Sequence, residues 1–228
     1  RLSEPFVNSL RIMKNLHWVK IAVLSLFSVL FLPFAVGQNN KFRKETYVGL
    51  SGGATGSMVY FKPVVEQSYL LAYQGGFVFR YISEKHLGVQ AELNYIQRGW
   101  SESGGTFDKR LDYIELPFLT HIYFGKNARF FLNLGPEIGY LINETVLQNS
   151  NPSSTAEQHI RAIQNKFKYG LTAGLGFSFH IKRQVLQLEA RGNFGASDIY
   201  SNDKRDYFDN SNPITASVTL SWLVRVNK

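Results

Sequence analysis

Past Gln38 the sequence is dominated by runs of ten or more residues in which apolar side chains alternate with polar or small ones. That is the period of a β-strand whose two faces meet different surroundings. In one run Leu87, Val89, Ala91, Leu93 and Tyr95 share a face, and Gln90, Glu92, Asn94 and Arg98 share the other. Another sets Phe167, Tyr169, Leu171, Ala173, Leu175, Phe177 and Phe179 against Lys168, Gly170, Thr172, Gly174, Gly176, Ser178 and His180. A third sets Ile214, Ala216, Val218, Leu220, Trp222, Val224 and Val226 against Thr215, Ser217, Thr219, Ser221 and Arg225. No stretch of comparable length has helical periodicity free of strand formers, so the chain reads as all-β.

Eight such strands are expected, near 46–54, 69–81, 87–99, 111–124, 129–142, 166–181, 185–196 and 213–226. Alternation alone also suits a water-soluble sandwich, so connector length has to decide. The connectors alternate long and short: 55–68, 82–86, 100–110, 125–128, 143–165, 182–184 and 197–212. Tight turns at one end and long loops at the other are the layout of a membrane barrel with periplasmic turns and extracellular loops. Both chain ends then fall on the short-turn side, which requires an even strand number. Runs near ten residues match a tilted bilayer crossing better than the five or six residues usual in globular strands. Closure also removes the exposed edges that such long apolar strands would otherwise present.

Composition agrees. Aromatics make up 14% of the 228 residues and charged residues only 18%, below the roughly 25% charged of soluble domains. Aromatics gather at strand ends (Tyr81, Tyr95, Trp100, Tyr123, Phe124, Tyr140, Tyr200, Trp222), as interfacial girdles require, although β-propensity alone also favours them. The segment 21–32 is an apolar run preceded by Met13, Lys14 and Lys20 and followed by Pro33 and Ala35-Val36-Gly37. Those are the parts of a secretory signal peptide, too short for a membrane anchor. The expected organisation is therefore an upstream extension over 1–12, a signal peptide over 13–37 cleaved before Gln38, and a barrel domain over 38–228. A lipidated N-terminus is excluded because no cysteine is present.

Losing 1–37 removes Arg1, Arg11, Lys14 and Lys20 against Glu4 and lowers the net charge from +8 to +5. The remaining cations sit singly in strands and turns, not in a stripe, which argues against nucleic-acid binding. Without cysteine there is no disulfide framework, thiolate nucleophile or cysteine-ligated metal. Gly176-Phe177-Ser178-Phe179-His180 lacks the second glycine and following helix of a nucleophile elbow. Ser178 and His180 lie two strand positions apart, about 7 Å, beyond a direct hydrogen bond. Gly52-Gly53-Ala54-Thr55-Gly56 lacks the lysine of a phosphate loop, and no HExxH occurs. Asp203, Asp206 and Asp209 match no calcium-loop spacing and read as a solvated acidic loop. Neither a catalytic residue nor a cofactor or metal site is expected.

The polar face gathers Glu92, Arg98, Glu115, His121, Glu137, Lys168, His180, Glu189, Arg191 and Arg225. An eight-stranded barrel is just wide enough to be filled by side chains. Glu92, Glu115, Glu137 and Glu189 are therefore expected to meet Arg98, Lys168, Arg191 and Arg225 across the lumen as a paired structural network, since buried charges persist only when paired. That leaves a structural or interaction barrel as the first reading, ahead of a narrow transport channel and of an outer-membrane hydrolase.

Three segments resemble the PorT-like outer-membrane β-barrel family of Bacteroidota. They are Leu87-Gly88-Val89-Gln90-Ala91-Glu92-Leu93-Asn94-Tyr95 with Arg98-Gly99, then Leu111-Asp112-Tyr113-Ile114-Glu115-Leu116-Pro117, then Leu134-Gly135-Pro136-Glu137-Ile138-Gly139-Tyr140. The resemblance spans the chain after the expected signal peptide. It implies an outer-membrane barrel surrounded by lipid, and partners in the periplasm or in a protein-secretion system, as for the founding member. One departure is the final Arg225-Val226-Asn227-Lys228, where many such barrels end in an aromatic residue; Trp222 is the candidate substitute.

Overall fold

The computed structural model describes residues 42–102, 104–150, 156–200 and 209–227. The expected upstream extension (1–12) and signal peptide (13–37) lie outside the described residues, as do Asp203 and Asp206. The strands are β1 (Glu45–Lys62), β2 (Gln67–Ser68), β3 (Leu70–Glu84), β4 (Leu87–Glu102), β5 (Phe107–Gly125), β6 (Ala128–Asn149), β7 (Phe167–Ile181), β8 (Gln184–Gly195) and β9 (Asn210–Arg225). A single helical turn, α1 (Glu157–Ile160), lies in the β6–β7 connector. Every neighbouring pair is antiparallel. The β4–β5 pairing closes the order β4-β3-β1-β9-β8-β7-β6-β5 into a ring of eight strands, with β2 added beside β4. Closure gives the main-chain groups of each crossing strand an inter-strand partner, which lipid cannot supply.

The tight connections at one end are two residues each. Lys85 and His86 join β3 to β4, Lys126 and Asn127 join β5 to β6, and Lys182 and Arg183 join β7 to β8. His86, Gly125 and Lys182 take positive φ (74°, 113° and 56°), the left-handed conformation that tight hairpins demand.

The connectors differ from the sequence expectation most at the long-loop end, where β6 runs on to Asn149 and shortens the expected 143–165 connector. The 55–68 and 100–110 segments are not long loops: β1 runs on to Lys62, β4 to Glu102, and β5 begins at Phe107. The strands outrun the bilayer because their inward faces have apolar side chains to bury there. Val59, Phe61, Trp100 and Phe107 are all buried at that end. The long connectors that remain span 150–166 and 196–209.

The outward face is apolar and exposed, with Leu50, Leu71, Leu93, Leu116, Leu134, Ile138, Leu171, Leu175, Leu188 and Leu220 around the ring. Toward the tight turns it ends in Phe79, Phe124, Phe130, Phe177, Phe179 and Trp222; toward the long loops it ends in Tyr60, Tyr69, Tyr95, Tyr140 and Tyr169. An apolar band between two aromatic girdles is the surface a bilayer selects.

A sealed lumenal charge network as candidate functional site

The inward face falls into three layers. Nearest the tight turns is an apolar cluster of Tyr47, Val78, Ile82, Tyr123, Phe131, Val185 and Leu223. Nearest the long loops is a larger one, which includes Val59, Phe61, Ile96, Trp100, Phe107, Tyr113, Leu141 and Tyr200. Phe61 meets Trp100 edge-on at 5.4 Å and lies over Tyr200 at 6.2 Å. The β6–β7 connector tucks into this end. His159 stacks on Phe107 at 3.9 Å and its Nε2 lies 2.8 Å from Glu102, while Lys109 donates to the Arg161 carbonyl at 3.0 Å. Ile163 and Ile199 are buried there as well.

Between the two apolar layers lie the charges, in two separately hydrogen-bonded groups. In the one nearer the long loops, Lys168 Nζ donates to Glu115 at 2.8 Å and to Glu137 at 2.7 Å, and Arg98 donates to Glu115 at 2.6 Å. Thr172 and Asn193 both donate to the second oxygen of Glu137 at 2.5 Å. In the other group, Arg191 holds Glu92 through two parallel bonds of 2.7 and 2.6 Å and reaches Glu189 at 3.0 Å. Gln90 and Asn94 donate to Glu92, and Gln187 and Asn133 to Glu189. Bidentate arginine pairs of this kind are the strong, geometrically selective form of ion pair.

Glycines on the inward face make the room. A Cβ at Gly174 would sit 2.2 Å from Glu189 Oε1, and one at Gly139 would crowd Glu115 Cγ at 3.0 Å and Lys168 Cγ at 3.1 Å. The small inward residues of β6 and β7 are thus the counterpart of the large charged ones beside them.

Of the expected network, Glu92, Arg98, Glu115, Glu137, Lys168, Glu189 and Arg191 come together here, all buried. Arg225 does not. It lies beyond the Leu223 layer at the tight-turn rim, where it pairs with Glu45 at 3.3 Å. The fourth cation is Arg80, fully buried on β3, bonded to Gln90 at 2.7 Å and to Gln187. Sequence reading missed it because β3 alternates poorly: Val78, Arg80 and Ile82 all face inward. The available signal was its place between Phe79 and Tyr81, both on the lipid side. With Arg80 counted, four carboxylates face four cations.

His121 lies in the lumen with Nδ1 2.7 Å from Asn133. Ser178 is buried, and its Oγ has no partner among the described residues. Among the described residues, no three His, Asp or Glu side chains converge as a metal site would require.

No curated protein matches the chain. Several solved structures are similar to it. Ail, the attachment invasion locus protein of Yersinia pestis, solved in complex with the heparin analogue sucrose octasulfate, is 16% identical with a TM-score of 0.43 and covers 78% of this chain and 99% of its own. Neisserial surface protein A is 11% identical with a TM-score of 0.46 over 81% and 99%. The outer membrane enzyme PagL is 12% identical with a TM-score of 0.39 over 81% and 100%. The family model described as "Outer membrane protein beta-barrel domain" matches residues 36–201. That match spans most of the barrel and includes the strands that carry Arg80, Glu92, Glu137 and Arg191, so the chain belongs to the outer membrane protein beta-barrel domain family and its place is the outer membrane.

Proposed function

We propose that this barrel neither conducts nor catalyses, and that it works through the surfaces it holds outside the bilayer, chiefly the long-loop rim offered to a protein partner. The observation that carries the reading is the filled lumen: a paired charge network lies between two apolar layers, each sealed by buried aromatic side chains. A water file needs space that these side chains occupy. The rim above is a built surface: β5 and β6 continue as a paired ribbon to Phe107 opposite Asn149, and the connector behind it is fixed by His159 on Glu102 and by Lys109 on the Arg161 carbonyl. Binding residues commonly lie on loops that a rigid scaffold positions. The PorT-like resemblance supports a secretion-system component as the partner.

The test is a deletion of residues 151–155 combined with a photoreactive residue at Gln148. Folding, read as the heat-dependent shift in electrophoretic mobility, should be unchanged, while the crosslinked adduct formed at Gln148 in native membranes should disappear. Permeation of small sugars into liposomes that carry the protein would instead make it a channel.

A further inference from the structure

The two rims differ in charge. At the tight-turn rim Arg43, Lys44, Lys85, Lys126, Lys182 and Arg183 are exposed. Arg129 and Arg225 lie beside them and pair with Glu45, at 3.1 and 3.3 Å. The only other carboxylate among the described residues of this rim is Glu84. Among the described residues the long-loop rim, in contrast, mixes both signs with a small acidic excess.

Part of the basic rim is shaped into a cleft lined by Arg43, Lys182, Arg183, Arg225 and Asn227. Asn227 builds it: its Oδ1 accepts from the Thr46 amide at 3.0 Å and from Arg225 Nε at 3.2 Å, and its Nδ2 donates to the Lys44 carbonyl at 2.5 Å. The Arg225 amide donates to the Arg183 carbonyl at 2.7 Å. These bonds gather the residues leading into β1, the end of β9 and the β7–β8 turn around one concave spot.

Depth identifies the ligand. The cations begin within a few residues of the exposed Phe124, Phe130, Phe179 and Trp222, the aromatic girdle that sits at the bilayer interface. Groups just beyond the girdle face lipid headgroups, and clustered Lys and Arg at that depth attract anionic lipid. Guanidinium groups also suit phosphate, which they can grip through two bonds.

We propose that the tight-turn rim binds the phosphate groups of anionic phospholipids in the periplasmic leaflet, with the cleft at Arg43, Lys182, Arg183 and Arg225 as the principal headgroup site. The orientation rests on tight turns facing the periplasm. Surface labelling of an Asn127→Cys variant in intact cells reads that orientation separately.

The full chain, folded in mild detergent, is offered equal phosphatidylglycerol and phosphatidylcholine, and retained lipid is counted by native mass spectrometry. Wild type should retain phosphatidylglycerol over phosphatidylcholine by at least about fivefold, the effect of roughly one well-placed cation. The combined variant Lys126→Ala, Lys182→Ala, Arg183→Ala should lose that preference while keeping its β-sheet circular dichroism. Lys62→Ala with Arg110→Ala at the opposite rim should keep it. Equal retention of both lipids by wild type, an unchanged preference in the triple variant, or a stronger preference for soluble polyglutamate than for phosphatidylglycerol would each overturn the proposal.

Discussion

Removing one member of a buried ion pair leaves the other with neither water nor a counter-charge, whereas removing one member of a rim pair returns the other to solvent. That contrast separates Glu137 from Arg225. Glu137 accepts from Lys168, Thr172 and Asn193 and is buried. Glu137→Leu should therefore lower stability by about 3 to 5 kcal/mol, and Arg80→Leu, which strips the buried side-chain oxygens of Gln90 and Gln187 of their donor, by about 1 to 3 kcal/mol. Arg225→Leu breaks a partly exposed bond to Glu45 and should cost no more than about 1 kcal/mol. Urea unfolding in detergent, followed by tryptophan fluorescence, measures all three. A large loss at Arg225 with a small one at Arg80 would reverse the assignment of the fourth lumenal cation.

Each strand of the ring divides its side chains between lipid and lumen. The division is plain in β7, where Leu171, Leu175, Phe177 and Phe179 are exposed and Lys168, Thr172 and Ser178 are buried. Leu134→Arg, on the lipid face of β6, should cost about 2 to 4 kcal/mol if it lies near the midplane. Trp100→Ala, in the apolar layer under the long loops, should cost about 3 to 5 kcal/mol through the cavity it leaves. The same unfolding assay tests both, and a harmless Leu134→Arg would mean that the two faces are exchanged. Strand number, order and face were legible because alternation persists wherever one side meets lipid and the other a polar lumen. Strand ends were not legible beyond the bilayer, where an outward face no longer has to be apolar. Ser101, Glu102 and Asp108 therefore read as loop although β4 and β5 pair there, Ser101 opposite Asp108. Arg225 was misplaced for a related reason: alternation assigns a face, and depth along the barrel axis depends on register across the ring.

Closure makes the eight-stranded ring a single hydrogen-bonded cylinder, and the lumen is where that cylinder is either open or shut. Each end is covered by an apolar layer, and the charges between them bond to one another. Such a barrel should unfold slowly and migrate differently before and after heating in dodecyl sulfate, since no edge offers a place to begin. Its filled interior also predicts how it behaves toward ions. The direct measurement is single-channel recording of the purified protein in planar bilayers. The sealed lumen predicts no stable conductance of porin magnitude, in wild type or in Trp100→Ala, whose charged layer remains in place. Reproducible ion-selective openings in wild type that disappear in Glu137→Leu or Arg191→Leu would contradict it.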